Sequence, residues 1–200
     1  MRVLIGGLGT LGANFLFTLL RTNNLNKDWN LSLVDYDKIS SNDLKHIWYS
    51  NIDKSKIVEC IRLIYKIHNP KVNINDFSCG KMEDYLNETK HEFNLALDFR
   101  DNNDDFYNLN SNYYFKGFIN SQYGILLNEV DSQKFRYNPK EYDSKPFIWN
   151  SVHFCNKLIN ILDSDKIDTK SFMFDFDVLK RSELVCKEEY GNKIIEIKRS

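Results

Sequence analysis

The chain reads as an α/β fold built on a mixed sheet, and three observations carry that reading. Val3-Leu4-Ile5 is short, apolar and β-branched, and it stops at Gly6-Gly7, the pattern of a buried strand entering a turn. Strand and helix patterns then alternate through the first half of the chain, as parallel strands with covering helices require. Strand patterns follow one another more closely further on, which predicts antiparallel strands towards the C-terminus.

The elements follow in order. Residues 13–21 read as a helix, with Phe15, Leu16, Leu19 and Leu20 on one side, and Asn23-Asn24 ends it. Residues 31–34 form a second apolar strand closed by Asp35-Tyr36-Asp37, completing a strand–helix–strand unit. Residues 40–51 are polar and read as a loop with a turn of helix. Residues 54–68 carry Ile57, Cys60, Ile61, Ile64 and Ile67 at helical spacing and end at Asn69-Pro70. Strands are expected over 72–74, 93–97, 114–119 and 124–130, and helices over 82–90 and 104–112. The alternating Tyr113, Tyr114, Phe115 and Phe118 read as core packing rather than as a base-stacking platform. Residues 131–145 are polar, contain Pro139, and read as an excursion or linker. A helix over 147–162, with Ile148, Val152, Cys155, Leu158, Ile159 and Leu162 inward, and strands over 171–178 and 193–197 close the chain. The 200 residues are thus expected to form one domain: a core over 1–130, the excursion, and a C-terminal unit over 146–200.

Composition narrows the function. Hydrophobic residues make up 42% and charged residues 28%, ordinary values for a globular protein. A formal net charge of -1 gives no broad basic footprint, so neither nucleic acid nor an anionic membrane surface is expected as a partner. No leader pattern and no membrane-length apolar window appear, and Cys60, Cys79, Cys155 and Cys186 are scattered, which points to a reducing, cytoplasmic setting. No CxxC pair or histidine cluster occurs among His46, His68, His91 and His153, so no zinc site is expected.

The chemistry-bearing residues begin with Gly7-Leu8-Gly9-Thr10-Leu11-Gly12, a G-x-G-x-x-G between a strand and a helix. Gly7 permits the turn, Gly9 lets backbone approach a phosphate, and Gly12 allows close helix–strand packing. The helix N-terminus then faces the anion. Asp35 ends the next strand, where an acid accepts hydrogen bonds from ribose hydroxyls, and Asp37 competes for that role. These residues predict a Rossmann-like nucleotide site and leave NAD and ATP both open.

Further segments resemble one family. The run Val34-Asp35-Tyr36-Asp37-Lys38-Ile39-Ser40-Ser41-Asn42-Asp43-Leu44-Lys45 resembles the D-x-D-x-V-x-x-S-N-L-x-R segment of ThiF-type, ubiquitin-activating-like adenylyltransferases. Asp53-Lys54-Ser55-Lys56 is similar to their G-x-x-K at a helix start, and Ile67-His68-Asn69-Pro70-Lys71-Val72 to their I-N-P-x-V. Asp98-Phe99-Arg100-Asp101-Asn102 matches their D-x-x-D-N. The resemblance implies activation of the C-terminal carboxylate of a small ubiquitin-like protein or peptide as acyl-AMP, with ATP and Mg²⁺. It assigns Lys45, Lys56 and Asp101 as catalytic, with Asp101 on Mg²⁺. It puts Asn42 on a phosphate, gives Thr10 and Leu11 to the phosphate loop, and sets Asp98 beside the site. It also implies a homodimer or a heterodimer with a related subunit.

The pattern departs from the family in places. No arginine is expected ahead of the first strand, and none follows Asp101-Asn102, where Asp104, Asp105 and Phe106 stand. No cysteine sits in a thioester-loop context: Cys155 reads as a buried core thiol and Cys186 as part of a charged tail. Two other readings therefore stay open. One is a catalytically degenerate subunit that binds a partner. The other is an NAD-dependent oxidoreductase, although no Tyr-x-x-x-Lys pair is evident.

Overall fold

The computed structural model describes residues 1–43, 49, 51–101, 109–135, 148–176, 180–189 and 192–198. The elements are β1 (Arg2–Gly6), α1 (Thr10–Arg21), β2 (Trp29–Val34), α2 (Lys56–Ile67), β3 (Val72–Ser78), α3 (Met82–Glu88), β4 (Phe93–Asp98), β5 (Ser111–Ile119), β6 (Tyr123–Asn128), α4 (Glu129–Lys134), α5 (Ile148–Leu162), β7 (Phe172–Asp175), β8 (Lys180–Glu189) and β9 (Asn192–Lys198). Among the described residues the strands form one nine-stranded sheet in the order β3-β2-β1-β4-β5-β6-β7-β8-β9. The first five in that order run parallel and the rest antiparallel, as the pattern of elements predicts.

Alternation along the strands sorts the core into two faces. Val3, Ile5, Leu31, Leu33, Leu95, Leu97 and Phe115 pack with Phe15, Leu16 and Leu19 of α1, Ile57 and Cys60 of α2, and Phe154 and Leu158 of α5. Leu4, Val34, Ala96 and Tyr114 point the other way and meet Met82 and Tyr85 of α3. Two-residue periodicity in strands buried on both sides produces this split, and it explains their almost unbroken apolar runs.

Two polar residues lock the α1 side. The Asn69 amide donates to the carbonyls of Leu20 and Thr22 at 3.2 and 3.0 Å, satisfying the end of α1. The 5%-exposed Asp163 carboxylate, just past α5, accepts from Asn26 N at 2.5 Å, Lys27 N at 3.1 Å and Trp29 Nε1 at 3.0 Å. Asp163→Ala strands those donors and is expected to destabilise the fold by about 2 kcal/mol. A lowered urea midpoint with an unchanged slope checks this.

Five expectations are corrected. The helix expected over 104–112 falls mostly outside the described residues, and Ser111 and Asn112 already belong to β5. The strand expected to reach residue 130 ends at Asn128, whose side chain accepts from Asp131 N and caps α4. Residues 131–134 of the expected excursion are therefore helical, and 136–147 lie outside the described residues. β8 has no counterpart in the sequence reading, and Cys186 stands in that strand rather than in a tail. In α5, Phe154 is fully buried and Val152 only half-buried.

Candidate functional site

The parallel order places the end of β1 between β2 and β4, and the chain moves to opposite sides of β1 on its way to each. Open α/β sheets bind ligands in the crevice at such a switch point. A cleft of about 670 Å³ lies there, lined by Gly7, Gly9, Thr10 and Leu11 after β1, Asp35 to Lys38 after β2, Phe99 to Asp101 after β4, and Gly117 to Ile119 of β5.

The glycines divide their work as the motif predicts. Gly7 takes φ +83°, and a Cβ there would stand 2.8 Å from Arg100 N. Gly7 therefore lets the β1 and β4 loops meet backbone to backbone. A Cβ on Gly12 would lie 2.0 Å from Gly7 O, so this glycine serves packing and faces away from the cleft. Nothing lies within 4 Å of a Cβ at Gly9, which opens into the cleft. Gly9 is also the N-cap of α1, and no side chain caps that helix.

Asp35 ties two loops of the cleft together. Its Oδ2 accepts from Leu8 N at 2.5 Å and its Oδ1 from Asp37 N at 2.7 Å, so the carboxylate holds the glycine loop to the β2 loop. Burial raises its pKa against the opposing pull of those amides and of Lys56.

Lys56 reaches the cleft through local folding. The segment after β2 doubles back on the start of α2: Lys38 bridges Ser55, and Lys56 N donates to Asp37 O at 3.1 Å. Lys56 Nζ then lies 3.2 Å from Asp37 Oδ2 and 3.8 Å from Asp43 Oδ1, with its side chain only 9% exposed. Burial works against the charge, but Asp35, Asp43 and Asp37 together outweigh it and raise the ammonium's pKa above the ordinary lysine value. Asp43 is itself positioned by Ser40, whose N and Oγ donate to it at 2.7 and 2.8 Å.

Asp98 is fully buried beneath the cleft rather than lining it. The β4–β5 register sets Lys116 directly beside it and Tyr114 beside Ala96, on the α3 face. Asp98 accepts from Tyr114 OH at 3.2 Å and from Arg100 Nε and Nη2 at 3.0 and 3.2 Å, and Lys116 Nζ lies 3.7 Å away. Arg100 Nη1 donates in turn to Glu83 of α3 at 2.8 Å. Asp101 is exposed at the cleft wall. Asn42 is exposed on the turn beside Asp43 and does not line the cleft, and Lys45 lies outside the described residues.

Of the residues singled out from the sequence, the structure brings Gly7, Gly9, Thr10, Leu11, Asp35, Asp37, Lys56 and Asp101 to one cleft. The sequence reading missed Asp43, Glu83, Arg100 and Lys116. The available signal was the parallel pairing that sets position 116 opposite 98, visible only once the register is known. Among the described residues no group of three or more His, Cys, Asp or Glu stands close enough to hold a metal ion unaided. No described helix is long and apolar enough to cross a membrane. Cys60 is pushed up to about 12 by burial and contacts Tyr49 Oη at 3.3 Å, while Tyr49 OH donates to Leu8 O at 2.7 Å. That thiol supports the underside of the glycine loop and is chemically quiet.

No family model and no curated protein matches the chain. Solved structures do. E. coli MccB with succinimide matches at TM-score 0.64 and 16% identity, covering 91% of this chain and 62% of that one. The microcin C7 biosynthetic enzyme MccB in complex with N-formylated MccA matches at TM-score 0.62 and 15% identity, covering 91% and 63%. PaaA matches at TM-score 0.59 and 11% identity, covering 98% and 64%. The chain spans less than two thirds of each of those proteins. Over nearly all of its own length it has the Rossmann-like fold that they have.

Proposed function

We propose that the chain is an ATP-dependent adenylyltransferase of the ThiF type that activates the C-terminal carboxylate of a small protein or peptide. The observation that carries this reading is Lys56: a nearly buried, firmly charged ammonium set among carboxylates in the same cleft as an open glycine loop. Such a cation suits a polyphosphate, which needs fixed positive charge where negative charge accumulates. MccB, which shares the fold, has been solved with ATP, with AMPCPP and with the peptide MccA.

The chain's residues take the following parts. The backbone from Gly7 to Leu11 receives the phosphates, with Gly9 giving them room. Lys56 turns from Asp37 and Asp43 towards the triphosphate. An oxygen of the acceptor carboxylate attacks the α-phosphorus. The bond to the β-phosphate oxygen breaks, pyrophosphate leaves with that electron pair, and the acyl adenylate remains. Asp101, exposed at the cleft wall, fits Mg²⁺ together with phosphate oxygens, since that ion takes one or two carboxylates and fills its remaining positions from phosphate and water. Mg²⁺ would supply charge neutralisation at the phosphates. Lys45 and Asn42 complete the proposed set, and a dimer with itself or a related subunit belongs to the same proposal.

ATP–pyrophosphate exchange tests it. Exchange that requires an added peptide carboxylate and Mg²⁺ is expected, and Asp101→Ala should lower it at least about 100-fold with an unchanged melting curve. ATP binding without exchange for any carboxylate, alone or with candidate partner subunits, favours a partner-binding module instead. NADH binding without ATP binding favours an oxidoreductase.

A further inference from the structure

Arg100 lies in the cleft, and the proposed activity gives it no part. Its guanidinium is held on two sides by carboxylates of different kinds. Asp98, on the Nε and Nη2 edge, is fully buried and shared with Tyr114 and Lys116. Moving it would break a buried ion-pair network, a costly change. Glu83, on Nη1 at 2.8 Å, has a side chain 56% exposed in the first turn of α3. An exposed partner of this kind turns into water at little cost.

The loop that carries Arg100 also stands against the glycine turn. Arg100 N would lie 2.8 Å from a Cβ on Gly7, so the residue springs from the loop packed directly against the glycine turn. Gly7, Gly9, Arg100 and Asp101 line one cavity. The arginine that the family resemblance leads one to expect after Asp101-Asn102 is absent from the sequence.

We propose that Arg100 is the oxyanion clamp of this cleft: Asp98 fixes its orientation, Glu83 covers its Nη1 in the ligand-free chain, and an incoming phosphate group displaces Glu83. The identity of that phosphate as part of a nucleotide rests on the adenylyltransferase reading; the clamp itself does not. Arginine suits the task because its planar fork can give a phosphate two parallel bonds while its other edge stays on Asp98.

Titration calorimetry with two probes, ATP and inorganic tripolyphosphate, tests the clamp on the full chain. Glu83→Gln removes the competing charge from an exposed position, so it should fold normally and bind both probes about fivefold more tightly. Arg100→Lys keeps the charge but loses the fork, and should weaken both at least about tenfold. Unchanged or weaker binding in Glu83→Gln, with wild-type binding intact, overturns the clamp and leaves the nucleotide reading standing. Tripolyphosphate binding that responds to both variants, without ATP binding, keeps the clamp and removes the nucleotide. A wild-type chain that binds neither probe overturns both.

Discussion

Lys56→Met is expected to reduce pyrophosphate exchange by at least about 100-fold, the scale set by losing one preorganised charge contact to a reacting phosphate. The loss should fall on kcat as well as on ATP affinity, because charge on the phosphates grows as pyrophosphate departs. Methionine keeps the stem that packs at the start of α2, so the melting curve separates chemistry from folding. The variant also carries a pH signature. In the folded chain the Lys56 pKa is raised, so its stabilisation is complete below the ordinary value of 10.5 and is lost as pH rises through the folded value. Wild-type stability should therefore show an alkaline decline that the methionine variant lacks. Asp35 runs the other way. Its pKa is raised by burial, so its ionisation costs stability above the folded value, and that cost is relieved as pH falls. Without Lys56 the cost grows, and the variant should gain more stability than wild type on acidification from neutral pH. Denaturant midpoints of both proteins across the pH range check the two arms, and parallel profiles would refute the electrostatic account of this site.

Gly12→Ala is expected to cost about 3 kcal/mol, because its Cβ would stand 2.0 Å from a backbone oxygen of Gly7 that has no room to retreat. For a chain of this size that amounts to a fall of roughly 6–12 °C in melting temperature. Gly9→Ala is the informative contrast. No atom lies within 4 Å of its Cβ, and the backbone there, at φ -71°, admits alanine. Its stability should change by under about 1 kcal/mol, the cost of a poorer helix cap. Its Cβ nevertheless occupies the space where a phosphate would meet backbone, so ATP binding should be lost. The pair thus separates the packing glycine from the ligand glycine. A Gly9→Ala chain that binds ATP like wild type would show that the phosphates lie elsewhere in the cleft.

Local pattern carried much of this architecture. The apolar run ending at Gly6-Gly7 is a buried strand, the 3.6-residue spacing of Ile57, Cys60 and Ile64 is the inner face of α2, and Asn69-Pro70 ends that helix. Reading failed where an element is held by its neighbours rather than by its own composition. β8 is rich in Lys, Arg and Glu, which flank its short apolar stretch Leu184-Val185-Cys186; it forms because β7 and β9 pair with it on either side. Asn128 is the last residue of β6, and its side chain caps α4, which ends the strand two residues before the expected boundary.

The sequence by itself determined the parts that are local: a strand, a glycine turn and a helix, an acid closing the next strand, a lysine starting the next helix, and carboxylates at the end of a fourth strand. Short-range sterics and periodicity encode these, and they survive in any packing of the chain. Only the tertiary structure decided how the charges divide. Lys56 answers to Asp37 and Asp43 because the β2 loop folds back on α2. Asp98 lies buried beneath the cleft rather than on its wall, and the β4–β5 register sets Lys116 beside it. Arg100 meets Glu83 because α3 covers that face of the sheet. Each of these pairings joins segments distant in sequence, and strand register and helix docking, which no local pattern specifies, bring them within bonding distance.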